Sequence, residues 1–130
     1  MKNNKGQSLI DVVFSIGIIV LVLTGVVVLV VSTAKIKRIT LERQKAVELS
    51  QLLIEKQILD IKNDTLGFWD GTKTNSTNNQ GFSIGSGFIN YSYDIVYSGC
   101  NNQACNVIFT VKWGDLQELS VERLFLRRGI

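Results

Sequence analysis

From Val12 to Val31 the chain reads VVFSIGIIVLVLTGVVVLVV, with no charged residue inside the run. Between Lys5 and Lys35 the single charged residue is Asp11, at the amino-terminal edge. About twenty residues at 1.5 Å each make about 30 Å of helix, the hydrocarbon thickness of a bilayer. Valine and isoleucine are mediocre helix formers in water, but in lipid every backbone polar group needs an internal partner, which forces a helix. The run predicts a membrane-spanning helix and argues against a wholly water-soluble fold. A secretory signal peptide has a shorter apolar region, of about 7–15 residues. Ser32-Thr33-Ala34 would still serve as a cleavage site, so a secreted domain beginning at Lys35 is one alternative. A plain membrane anchor is another.

Composition removes several classes of chemistry. A chain of 130 residues holds one domain at most. It has no histidine, hence no histidine-based triad, metal site or imidazole acid–base pair. Two cysteines do not make a structural zinc site by themselves, and no glycine-rich phosphate-binding motif is present. No catalytic residue, metal or cofactor is assigned. The net charge of +3 is modest, and Lys2 and Lys5 supply two of the positive charges. That balance does not indicate a general nucleic-acid footprint.

Asp11 is the informative residue. A carboxylate at mid-bilayer costs about 2.5–3.5 kcal/mol unless it is paired or reaches the interface. At the edge of the run it can reach the headgroups. A cut between Gly6 and Gln7 would place a new α-amine four residues before it. The amine of a neighbouring chain would neutralise it equally well, and Asp11 would then be a determinant of assembly.

The segment Lys5-Gly6-Gln7-Ser8-Leu9-Ile10-Asp11-Val12-Val13 resembles the prepilin cleavage motif of type IV pilins and type II secretion pseudopilins. In that motif a short basic leader ends in Gly, and an acidic residue opens a hydrophobic helix. The resemblance implies cleavage after Gly6 by a prepilin peptidase and methylation of the new terminus at Gln7. It also implies pairing of Asp11, where the family usually has Glu, with a neighbour's terminal amine. The function implied is that of a non-catalytic subunit of a pilus-like filament or of a type II secretion system. Its partners would be other pilin subunits, the prepilin peptidase, an inner-membrane assembly platform with its ATPase, and membrane lipid. Gln7 stands where Phe is common, Asp11 is one methylene shorter than Glu, and the chain has no proline. These departures point to a minor pilin or pseudopilin rather than a bulk fibre subunit. Glu48 to Lys56 and Val111 to Asp115 resemble segments of PilV-like minor pilins. A single-pass anchor presenting a binding module that never polymerises is the alternative function.

Lys35, Lys37, Arg38, Arg43 and Lys45 follow the run, against Lys2 and Lys5 before it. Charge counting alone would put the carboxyl-terminal part in the cytoplasm. The cleavage motif instead requires the leader inside, with the domain outside and in a surface or periplasmic filament. The expected organisation is a leader at 1–6, a transmembrane and assembly helix at 7–34, and an extracytoplasmic domain at 35–130.

Within that domain the expectation is an amphipathic helix at 35–62, a loop at 63–90 and an antiparallel sheet at 91–130. The fold class is α+β, pilin-like, with the carboxyl-terminal half of the long helix on the sheet. Ile39, Ala46, Leu49, Leu53 and Ile58, with Ile36 and Leu52 beside them, recur at helical spacing and form the expected core stripe. Residues 68–90 are crowded with Gly, Asn, Ser and Thr, which reads as a loop with one short strand at Phe82 to Ile84 and with Phe68 and Trp69 anchored on the core. Alternation puts Tyr91, Tyr93, Ile95 and Tyr97 on one face of a first strand, and Val107, Phe109, Val111 and Trp113 on one face of a second. Leu119, Val121 and Phe125 do the same in a third, with Leu124 and Leu126 opposite. Gly114-Asp115 marks a hairpin turn. Cys100 and Cys105 bracket the tip of the first hairpin, and in an oxidising exterior they would close a small disulfide loop. Arg123, Arg127 and Arg128 would form a basic patch for DNA in a pilin system that takes it up, but a solvated strand end accounts for them without a ligand.

Overall fold

The computed structural model describes residues 5–63 and 65–127, with side chains at all of these but 5–8 and 65. Its elements are helix α1 (Lys5–Asn63), helix α2 (Thr65–Trp69), a 3-10 turn (Ser86–Phe88) and strands β1 (Tyr91–Ser98), β2 (Ala104–Trp113) and β3 (Gln117–Leu126). Two compact units divide the chain, Met1–Thr40 and Leu41–Ile130.

The first unit is α1 as far as Thr40. Its most apolar eighteen-residue window has a mean hydropathy of 3.0, and none of that window is buried within the molecule. Among the described residues this is the one helix long and apolar enough to cross a membrane. The hydroxyls along it turn inward on the helix itself. Ser15, Thr24, Ser32, Thr33 and Thr40 each donate to the carbonyl four residues earlier, at 2.7–3.0 Å. Such back-bonding leaves no side-chain donor of these residues seeking water, as a helix in hydrocarbon requires.

The second unit is α+β. The stretch of α1 after Leu41 packs on a three-stranded antiparallel sheet of order β1-β2-β3. Ala46, Leu49 and Leu53 are fully buried, and the stripe continues through Gln57, also fully buried. Here the structure corrects the expected stripe: Ile58 is turned out to 38% exposure, and Ile36 and Ile39 are exposed. Steps of four residues through the buried Leu49 and Leu53 lead to Gln57 and not to its neighbour. A glutamine is tolerated there because Tyr97 Oη donates to its Oε1 at 2.9 Å.

Strand alternation sends Tyr91, Tyr93 and Ile95 of β1, and Cys105, Val107, Phe109, Val111 and Trp113 of β2, into the core. Cross-strand pairs such as Tyr91 opposite Trp113 and Ile95 opposite Phe109 fix the register. Phe68 and Trp69 are buried, on the short helix α2 rather than on loop. Phe68 meets Trp69, Tyr97 and Phe125 edge to face, with ring centroids 4.9–6.2 Å apart. Gly114, at φ 63°, opens the turn between β2 and β3, a conformation that a Cβ would strain.

No strand forms at Phe82 to Ile84. Instead Ser76 makes an isolated antiparallel bridge to Ile95. Ser76 N donates to Ile95 O at 3.0 Å and Ile95 N donates to Ser76 O at 2.8 Å. On either side Asn75 Oδ1 accepts from Tyr97 N, and Asn79 Oδ1 accepts from Tyr93 N. Asparagine side chains thus stand in for strand carbonyls, and Asn78 and Asn79 take left-handed conformations to do so. The backbone at Phe82 bonds to a side chain instead of a strand, since Tyr93 Oη accepts from Phe82 N and donates to Phe82 O.

Candidate functional site

In the first unit the candidate site is the apolar helix with Asp11. Asp11 is solvent-exposed, and no cation partner for it lies among the described residues. The backbones of Gly6 and Gln7 belong to α1; the side chain of Gln7, and residues 1–4 of the expected leader, lie outside the described residues. Further along, Gly17, Val20, Leu21, Thr24, Gly25, Val28 and Leu29 line a shallow apolar groove. A Cβ at Gly17 or Gly25 would meet nothing within 4 Å. Small residues on such a face let a second helix approach the backbone closely.

In the second unit Cys100 and Cys105 form a disulfide five residues apart, at the end of the β1–β2 hairpin. Asn101 orders the loop between them. Its Oδ1 accepts from the backbone N–H groups of Gln103 and Ala104, and its own N–H donates to Ala104 O. Arg123 is exposed, the backbone N–H of Arg127 donates to Gln103 O, and Arg128 lies outside the described residues. No cluster of three or more His, Cys, Asp or Glu with metal-binding geometry occurs among the described residues.

Where the end of α1 meets the loop before β1, a cleft of about 380 Å³ is lined by Asp60, Lys73, Asn75, Ser76, Phe82 and Tyr97, among others. Lys73 Nζ and Asp60 Oδ2 pair across it at 2.8 Å. Burial pushes the Tyr97 phenol up to about 12, with the nearby Asp60 carboxylate adding to the effect and the Gln57 hydrogen bond opposing it. A phenol held neutral beside a paired carboxylate and an ammonium group is a structural network. Gln57 Nε2 and Ser76 Oγ remain buried without a partner. Sequence reasoning missed this network: nothing local in Gln57, Asn75 or Asn79 announces a partner that arrives from β1.

On the outer face of the sheet Lys112 Nζ pairs with Asp94 Oδ2 at 2.5 Å, across neighbouring strands. That hydrogen bond, aided by the Asn78 N–H, holds the Asp94 carboxyl below the usual range against the effect of burial.

No protein-family model matches the chain, and no curated protein or solved structure matches it either.

Proposed function

We propose that this chain is a non-catalytic subunit of a type IV pilus-like filament or type II secretion pseudopilus, a minor pilin or pseudopilin. A prepilin peptidase cuts it after Gly6, and the apolar helix then leaves the bilayer to pack against those of other subunits. The observation that carries this reading is one helix, α1, bearing a lone carboxylate at the head of an exposed apolar run and continuing into a sheet-packed segment. An anchor needs the apolar length but no carboxylate at its head, where desolvation is unfavourable. A subunit that trades lipid neighbours for protein neighbours needs a charge whose neutralisation requires the correct register. Asp11 supplies it, pairing with the amine of Gln7 in the next subunit, whether or not that amine is methylated.

In this reading the second unit stays on the outer side of the inner membrane, where an oxidising compartment keeps Cys100–Cys105 closed. Gly17 and Gly25 allow close helix approach within the filament. The partners are other pilin subunits, the prepilin peptidase, and the assembly platform with its ATPase.

Asp11→Ala is the test. Expressed in the source cell, the variant should insert in the membrane at the normal level and be absent from sheared filaments or cross-linked pseudopilus complexes. Normal incorporation would leave the chain as a membrane anchor with a displayed module.

A further inference from the structure

The two edges of the sheet are treated in opposite ways. Arg127 N donates to Gln103 O, and position 127 continues the register that pairs Leu126 with Ala104. In an antiparallel ladder, residues that bond to a neighbour alternate with residues whose N–H and C=O turn the other way. The odd-numbered residues of β3 therefore bond to β2, and Glu118, Ser120, Glu122, Leu124 and Leu126 present their main-chain groups to the open side. The same parity leaves Tyr91, Tyr93, Ile95 and Tyr97 of β1 facing the opposite edge. There the loop at 75–79 meets them one after another, through Asn79, Ser76 and Asn75. Among the described residues nothing hydrogen-bonds to the outer edge of β3.

The core side shows the same asymmetry. Tyr93, Ile95, Val107, Phe109 and Val111 are at most 1% exposed, whereas Leu119, Val121 and Phe125 of β3 are only half-buried. Natural edge strands are shielded by proline, bulges, inward charges or a covering segment. Strand β3 has ten residues, no proline and an unbroken register with β2, and the one charged residue on its core side, Arg123 opposite Val107, is exposed rather than turned into the core.

We propose that the edge of β3 is a docking site for an extended strand from a different protein subunit. That strand carries apolar side chains over Leu119, Val121 and Phe125 and basic side chains beside Glu118 and Glu122. Main-chain groups spaced at alternate residues are matched by another extended backbone, which gives affinity while the flanking side chains give specificity. A second copy of this chain fits poorly. Its other edge is already occupied, so β3 would have to pair with β3 about a two-fold axis, and the pairing must keep the core sides together. Centring on Glu122 opposes that carboxylate with itself, and centring on Ser120 opposes Glu118 with Glu122. Centring on Arg123 opposes two guanidinium groups, while centring on Val121 or on Leu124 opposes no like charges but leaves the glutamates without a basic partner, Glu118 against Leu124 and Glu122 against Ser120 in the first and Glu122 against Leu126 in the second. Like charges directly opposite are destabilising. The site belongs to the second unit and holds whether or not the apolar helix polymerises.

The experiment uses the full chain in detergent micelles with a capped synthetic peptide alternating valine and lysine as the probe. Amide hydrogen exchange is followed by NMR, with sedimentation run in parallel. Saturating peptide should slow exchange at Ser120, Glu122 and Leu124 by about tenfold or more, and leave the amides of Tyr93, Ile95 and Tyr97 unchanged. Ser120→Pro removes an outward N–H and no main-chain bond to β2, and it shares with Ser120→Ala the loss of the Thr110–Ser120 hydroxyl hydrogen bond, so it should abolish the protection while keeping the unfolding midpoint of Ser120→Ala. Ser120→Ala should retain it. No protection at saturating peptide would overturn the proposal. So would equal protection in Ser120→Pro, or protection that appears without peptide as copies associate. The wild-type exchange pattern decides the matter even if the proline variant misfolds.

Discussion

The two units of this chain solve the burial of apolar groups in different ways. In the first, Leu21 is 75% exposed, Val31 64% and Phe14 69%, and no side chain of the apolar window is covered. In the second, Phe68, Tyr93, Phe109 and Leu49 are fully buried around one core. The second unit therefore carries its own stabilisation. The first is stable only where something apolar surrounds it, which in the proposed function is lipid at first and neighbouring helices afterwards. One helix joins the two conditions, so the same element is a core component after Leu41 and, in the proposed function, an assembly surface before it.

The strongest way to break this comparison is to truncate one large side chain in each unit of the full chain in detergent. Phe68→Ala should lower the unfolding free energy of the second unit by about 3–5 kcal/mol, the cost of an aromatic-sized cavity. Trp69 and Trp113 report it by fluorescence. Leu21→Ala should leave the same transition within about 0.5 kcal/mol of wild type. Comparable losses from both would mean that the first unit contributes to the core.

A smaller effect tests the hairpin. Replacing Cys100 and Cys105 together with alanine removes a loop closure of about six residues and should cost about 2 kcal/mol. Denaturant midpoints with and without reductant should converge in that variant. Unchanged midpoints in the wild-type chain on reduction would show that Asn101 holds the loop alone.

Smaller again is the polar link between helix and sheet. Tyr97→Phe strands the Gln57 amide, which already has one buried donor unpartnered, and should cost on the order of 1 kcal/mol. The phenol's pKa in the folded state, about 12, lies above its unfolded value of about 10. Its contribution is thus complete below pH about 10 and fades as pH rises towards 12. Alkaline unfolding should shift to higher pH in Tyr97→Phe relative to that variant's own neutral stability, as read by tyrosinate absorbance. The smallest effect belongs to Asp94. Its folded-state pKa is depressed, so its contribution is present above the ordinary carboxylate range and is lost as pH falls through the lower folded value. Asp94→Asn should flatten the acid limb of stability while leaving the neutral plateau close to wild type, because the pair is partly solvated.

Much of this was legible in the sequence. A run of apolar residues specifies a helix long and apolar enough to cross a membrane, and period-two alternation specifies which side of each strand faces the core. The disulfide and the turn at Gly114 follow from spacing and residue type. What escaped depends on partners distant in sequence. Ile58 and Gln57 are adjacent, and hydropathy favours the isoleucine. The choice goes to Gln57 because helical steps from Leu49 and Leu53 lead there and because Tyr97 arrives with a hydroxyl. The loop at 75–79 carries no apolar alternation, since it pairs with β1 through asparagine amides rather than as a strand. The open edge of β3 was equally invisible, because an edge is defined by what fails to pair with it.

The proposal of filament assembly is tested most directly by the amino terminus of the protein in its native membrane fraction. Intact mass with amino-terminal sequencing should give a chain beginning at Gln7, with or without one added methyl group. A chain that retains Met1 to Gly6, or one that begins at Lys35, would contradict it.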